Sequence, residues 1–163
     1  MVSCKLLLAR RRQWYAVGSK LLQYWENVPF SHCAIEVDGF VYESVFPEGR
    51  MLPKADWLKK YHVTHEFSKD VSDETADQME VWFIDQVVGR HYSVWHLVVI
   101  GMTLTSKAIE NLVIGSEFDG SRTMICTESC GRFMSRFFDK VWTEKHDWLS
   151  LKDIENGAME VFK

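Results

Sequence analysis

Phe30-Ser31-His32-Cys33-Ala34-Ile35-Glu36-Val37-Asp38-Gly39-Phe40-Val41-Tyr42-Glu43-Ser44-Val45 consists of two short, mostly apolar runs on either side of an Asp-Gly pair. Asp-Gly tolerates the positive φ angles of a two-residue hairpin turn, and the flanking runs are rich in β-branched and aromatic residues. The stretch therefore predicts a β-hairpin. Side chains alternate along a strand, so His32, Ala34 and Glu36 share one face while Cys33, Ile35 and Val37 take the other. His32 begins the first strand, and Glu43 is the lone acid within the apolar run of the second.

Upstream, Lys5 to Ala9 has the pattern of a short buried strand. Trp14, Val17, Leu21 and Trp25 recur at helical spacing, predicting a helix over 12–25 that Asn27 and Pro29 stop. Arg10, Arg11 and Arg12 are expected to form its solvated start, with an anion-binding patch as the alternative. Downstream, a short helix is expected behind Pro53 within 51–61, then a weaker strand over 62–67. Ser72, three residues before Thr75 and followed by Asp73 and Glu74, has the character of a helix N-cap. The helix it opens carries Met79, Trp82, Phe83, Val87 and Val88 and ends near Gly89. A second, very apolar helix is predicted over 94–112, with a Gly-containing loop at 116–121. Thr123-Met124-Ile125 is short and apolar, and Cys130, Phe133, Met134 and Phe137 then recur at helical spacing. This places Cys126 at or near a helix N-terminus.

With 163 residues, 47% apolar and 26% charged, the chain fits one ordinary core. It has no internal repeat, low-complexity tract or Gly/Ser/Pro-rich linker, so 1–163 is expected to be a single domain. The longest nearly unbroken apolar stretch, Val94 to Leu104, is shorter than the roughly 20 residues of a membrane span, and no transmembrane segment is expected. Leu6 to Leu8 precede Arg10 to Arg12, the reverse of a secretory leader. The net charge of −4 argues against a nucleic-acid binder, and neither Gly89 nor Gly101 belongs to a nucleotide-binding fingerprint. Four cysteines are too sparse for a disulfide scaffold, which favours a reducing compartment. Seven tryptophans and ten phenylalanines supply core; Trp57, Trp142 and Trp148 are alternative walls for a substrate groove.

A thiol becomes nucleophilic when it ionises, and a helix N-terminus together with a nearby imidazole lowers its pKa. Cys126 and His32 are the candidates for that pair, with Glu43 as the group that orients the imidazole. The plainer readings are a buried core cysteine and an exposed His–Glu strand pair. Cys126 and Cys130 with Cys33 or a histidine form a weak zinc pattern lacking a second ligand pair; no cofactor is expected.

Taken in order, these segments resemble the circularly permuted, papain-like NlpC-type cysteine peptidases and amidases, including the YiiX-like bacterial proteins and, more remotely, the lecithin:retinol acyltransferase relatives. The family's S-H-x-x-I strand falls on Ser31, His32 and Ile35, its polar triad member on Glu43, and its C-[ST]-E motif on Cys126, Thr127 and Glu128. Its glycine and tyrosine fall on Gly89 and Tyr92, and the tail Ser150-Leu151-Lys152-Asp153-Ile154 is similar to its closing segment. Ser93 stands where an aspartate is frequent and Lys152 where a proline is usual. The resemblance implies an α+β, permuted papain-like fold with a small antiparallel sheet packed on helices. It also implies a Cys126, His32, Glu43 triad, with Tyr92 as an oxyanion-side or pocket residue. The implied activity is cleavage of an amide, or of an ester or thioester, in a peptide, protein or acyl-lipid substrate. The alternatives are acyl transfer by the same chemistry, or a non-catalytic binding module on the same scaffold. A cytoplasmic or phage-associated location is expected.

Overall fold

The computed structural model describes residues 1–12, 20, 23–24, 26–93, 123–143, 146 and 149–162. The helices predicted over 94–112 and for most of 12–25, and the loop at 116–121, lie outside the described residues. Strands β1 (Val2–Arg11), β2 (His32–Val37), β3 (Phe40–Glu43), β4 (Arg50–Pro53) and β5 (Tyr61–Val71) form one sheet in the order β4-β3-β2-β1-β5, every pair antiparallel. Among the described residues four helices accompany it: α1 (Lys54–Leu58), α2 (Asp73–Gln86), α3 (Cys126–Phe138) and α4 (Leu151–Val161). A short parallel pair, β6 (His91–Tyr92) and β7 (Thr123–Met124), stands apart from the main sheet. The fold is thus α+β with a small antiparallel sheet.

The hairpin forms where the sequence puts it. Asp38 and Gly39 both adopt positive φ, 46° and 79°, as a tight hairpin turn with the strand's right-handed twist requires. The resulting register sets Ile35 opposite Tyr42 and Glu36 opposite Val41. Strand alternation then sorts the core into two layers. Cys4, Leu6, Leu8, Cys33, Ile35 and Val37 face the main core together with Met79, Phe83, Phe133 and Ile154 from the three long helices. Leu7, Ala9, Ala34 and Val41 face the opposite way, against Trp57 and Tyr61. Each fully buried Leu, Ile or Phe contributes roughly 1.5–3 kcal/mol, and this burial is concentrated on β1, β2 and β3, whereas β4 and β5 keep exposed positions.

β1 extends beyond the predicted Lys5 to Ala9 at both ends, and Arg10 and Arg11 are strand residues rather than a helix start. The reason is tertiary: β5 continues pairing to Arg10↔His62 and Arg11↔Tyr61. The next residue, Arg12, donates from Nε to the carbonyls of Leu58 and Tyr61, both at 2.9 Å. β5 likewise runs longer than the predicted 62–67.

The Ser72 cap forms as expected, and a second cap at Ser150 is added by the structure. Ser72 Oγ accepts from Thr75 N at 3.1 Å to start α2, and α4 begins with a full capping box between Ser150 and Asp153. Val87 is buried just beyond the end of α2, whereas Val88, expected on its apolar face, is partly exposed because the chain turns there into Gly89 at φ 78°. Gly49 is a site of close approach: a Cβ there would lie 2.1 Å from the Val87 carbonyl oxygen. That approach allows Gly49 N to donate to Arg90 O and Gly89 N to donate to Gly49 O, both at 2.8 Å. Tyr92 N donates to Pro47 O at 2.9 Å, tying β6 to the loop between β3 and β4.

Candidate active site

Three elements deliver three side chains to one end of the sheet. His32 opens β2, Glu43 closes β3 and Cys126 is the first residue of α3. Ser44, next to Glu43, donates from Oγ to Met124 O at 2.8 Å, so the end of β3 fixes the chain that feeds α3. All three side chains are enclosed: Cys126 is 3% exposed, His32 7% and Glu43 1%. The exposed strand pair that alternation alone permits for His32 and Glu43 is therefore not what forms.

The sequence brings together what the motif order implies. His32 Nε2 meets Glu43 Oε2 at 2.7 Å, which leaves Nδ1 as the ring nitrogen available to Cys126, and the two side chains are hydrogen bonded. The thiol of Cys33 and its backbone N–H also reach Cys126. That N–H is available because β2–β3 pairing begins only at Ile35↔Tyr42. Tyr92, on β6 and half-buried, hydrogen bonds Cys126 as well.

The electrostatics divide the pair. Hydrogen bonding from Cys33 and the contact with His32 outweigh burial and hold the Cys126 thiol well below its ordinary value. Burial opposes a charge on His32, but Tyr61, Cys126 and Glu43 outweigh it and hold the imidazole well above its usual range. Burial likewise opposes ionisation of Glu43, yet His32, Trp57 and Arg50 keep its carboxyl at about 2. The favoured state is thiolate, imidazolium and carboxylate in a row. Desolvation and the neighbouring Cys126 and Cys33 push the Tyr92 hydroxyl up, so it remains a neutral donor. Cys33 is also pushed up, first by burial and then by Cys126 and Cys130, so it keeps its proton as a donor.

Beyond His32, Glu43 has two partners that no local pattern announces, Arg50 and Trp57. Arg50 donates to Oε1 from Nε at 2.7 Å and from a terminal nitrogen at 2.6 Å, a two-pronged pairing. Trp57 Nε1 donates to Oε2 at 2.8 Å. Trp57 is thus a buried support of the site and not a groove wall. Tyr61 stacks on the Trp57 ring at 4.6 Å and on the His32 ring at 5.0 Å, closing the imidazole against the sheet. The signals that point to these residues are pairwise: Arg50 lies opposite Glu43 in the β3–β4 register, and Tyr61 lies opposite Arg11.

At the head of α3, Ile125 offers no side-chain cap. The first-turn amides, with the positive end of the helix dipole, are therefore left to stabilise negative charge beside Cys126. Within the helix, Ser129 Oγ donates to Cys126 O at 2.8 Å. Cys130 is buried in the main core. Trp142 is half-buried and donates to Gly131 O at 3.2 Å, tied to α3 rather than standing free as a groove wall. Trp148 lies outside the described residues. Among the described residues no group of three or more His, Cys, Asp or Glu is arranged to hold a metal ion, and no helix is long and apolar enough to cross a membrane.

No protein-family model matches this chain, and no curated protein gives a significant match.

Proposed function

We propose that this chain is a cysteine-nucleophile hydrolase of the peptidase or amidase class, on a permuted papain-like scaffold. The observation that carries the reading is the continuous contact from Cys126 through His32 to Glu43, with the cysteine as first residue of an uncapped helix. A buried cysteine kept only for packing is expected to rise in pKa, as Cys4 does to about 12 through burial and the charge of Glu36. Cys126 departs in the opposite direction.

In this reading the Cys126 thiolate attacks the substrate carbonyl carbon, forming a C–S bond while the carbonyl electrons move onto oxygen. The oxyanion is stabilised by the first-turn amides of α3 and by the Tyr92 hydroxyl, donors of fixed orientation that are most effective in a dry site. Collapse of the tetrahedral adduct breaks the bond to the leaving group, which takes the proton from the His32 imidazolium. His32, again neutral, then removes a proton from water as it attacks the thioester, and Cys126 leaves as thiolate. Glu43 holds the ring orientation and stabilises the imidazolium throughout.

The test is trapping of the acyl-enzyme. Incubation with an activated acyl ester, followed by peptide mass spectrometry, is expected to show the acyl group on Cys126 in the wild type and none in Cys126→Ala or His32→Ala. Turnover retained by folded Cys126→Ala protein overturns the reading.

A further inference from the structure

Beside the site lies a concavity of about 230 Å³ lined by Arg11, Arg50, Lys60 and Tyr61. Its three cations come from separate places in the chain: the end of β1, the start of β4 and the turn between α1 and β5. Each is anchored by backbone pairing nearby. Arg11 sits opposite Tyr61 in the β1–β5 register, Arg50 sits opposite Glu43, and Lys60 N donates to Trp57 O at 2.9 Å.

The charge in this concavity is not balanced from within. Glu43 neutralises Arg50, whose side chain still keeps 31% of its surface open. Among the described residues Arg11 and Lys60 form no ion pair; Arg11 instead lies over the Tyr61 ring at 6.0 Å. Asp56, which feels the Lys60 charge, is paired with Lys59 at 2.6 Å. Two uncompensated positive charges therefore line a recess next to a third that is already satisfied. Gathering like charges is unfavourable even at high dielectric, and a bound dianion reverses that cost.

The location ties the recess to the chemistry. Tyr61 is both its wall and the ring stacked on His32, and Arg50 is both its wall and the clamp on Glu43. We propose that this concavity is a subsite for a phosphate group, so that the compound acylating Cys126 is a phosphate-bearing acyl compound. Two net positive charges match a phosphate monoester, and guanidinium groups match its oxygens in pairs. A lone carboxylate leaves one cation unsatisfied. The substrate class rests on the cysteine-nucleophile reading; phosphate binding in the recess does not.

The experiment is calorimetric titration of the full chain with inorganic phosphate at constant ionic strength, using wild type, Cys126→Ala, Arg11→Gln and Lys60→Gln. Both charge substitutions are at exposed positions, and circular dichroism verifies their folding. Saturable binding by wild type and Cys126→Ala, weakened at least tenfold in Arg11→Gln and in Lys60→Gln, supports the subsite. Dihexanoyl phosphatidate and N-acetyl-phosphoserine, titrated in parallel, identify the source: the tighter ligand marks a lipid headgroup or a soluble phosphomonoester, and the subsite stands in either case. Three results overturn it: no saturable phosphate binding by folded wild type, binding indifferent to both charge substitutions, or acetate binding as tightly as phosphate. Failure of the hydrolase reading is distinguishable, because it shows as phosphate binding without any acyl-enzyme on Cys126.

Discussion

Trp57 donates its indole N–H to Glu43 Oε2, the same oxygen that meets His32 Nε2. A buried carboxylate is tolerated only when its lone pairs are occupied. Glu43 achieves this with one imidazole, one indole and both prongs of a guanidinium. Trp57→Phe keeps a ring against Tyr61 and removes one donor. The expected outcome is a loss of about 1.5–3 kcal/mol in stability, of the size of one hydrogen bond to a charged group, and a several-fold slower reaction at Cys126. Denaturant unfolding and the rate of Cys126 alkylation measure the two separately.

Glu43 also sets an acid limit. Its carboxyl is about 2 in the fold against an ordinary 4.5, a depressed carboxylate. Its contribution to stability is fully present above pH 4.5 and is lost as pH falls toward 2. Glu43→Gln removes that dependence. Thermal unfolding of the wild type is expected to lose stability steeply between pH 4.5 and 2, and the variant less steeply, from a lower plateau because Arg50 loses its counter-charge. In the same variant Cys126 chemistry falls less than in Cys126→Ala; an unchanged rate would remove Glu43 from the triad.

Glu26 works with the opposite sign. Burial raises its carboxyl to about 7, with Cys126 adding to the rise, while the amide of Leu151, which donates to Oε2 at 2.6 Å, opposes it. A raised carboxylate costs stability when it ionises, so the cost is absent below pH 4.5, grows between 4.5 and 7, and is complete above 7. Two to three pKa steps correspond to about 3 kcal/mol. Glu26→Gln retains an acceptor for the head of α4 and is expected to be more stable than wild type at pH 8 but not at pH 4.5. Melting curves at those two values decide the point; a gain equal at both contradicts it.

Much of this arrangement was legible locally. The Asp38-Gly39 turn, the position of His32 and Glu43 on the hairpin, the Ser72 cap and Cys126 at a helix start all follow from short-range chemistry: turn dihedrals, alternation and capping. What was not legible depends on partners distant in sequence. Arg10 and Arg11 belong to a strand only because β5 pairs with them. Trp57 and Arg50 converge on Glu43 only after α1 and β4 pack. That the N–H of Cys33 reaches Cys126 depends on where β2–β3 pairing begins.

Gly49 links the loop before β4 to the strand carrying Tyr92. A methyl group at this position meets the Val87 carbonyl oxygen at 2.1 Å, and the obstacle is backbone, which yields poorly. Gly49→Ala is expected to cost at least 2 kcal/mol, in the range of overpacking strain. It also loosens the hydrogen bonds Gly49 makes to Gly89 and Arg90, next to Tyr92. Hydrogen exchange at Tyr92 N and the unfolding midpoint report both effects.

Whether Cys126 is an activated thiolate paired with His32 is decided by alkylation with iodoacetamide between pH 4 and 9, with mass spectrometry resolving each cysteine. Cys126 is expected to be modified well below the free-thiol pKa of about 8.5, while Cys4 and Cys33, both pushed up by burial, stay unmodified. In His32→Ala the low-pH reactivity of Cys126 disappears. A Cys126 no more reactive than Cys4, or equally reactive without His32, rules out the activated Cys126–His32 pair.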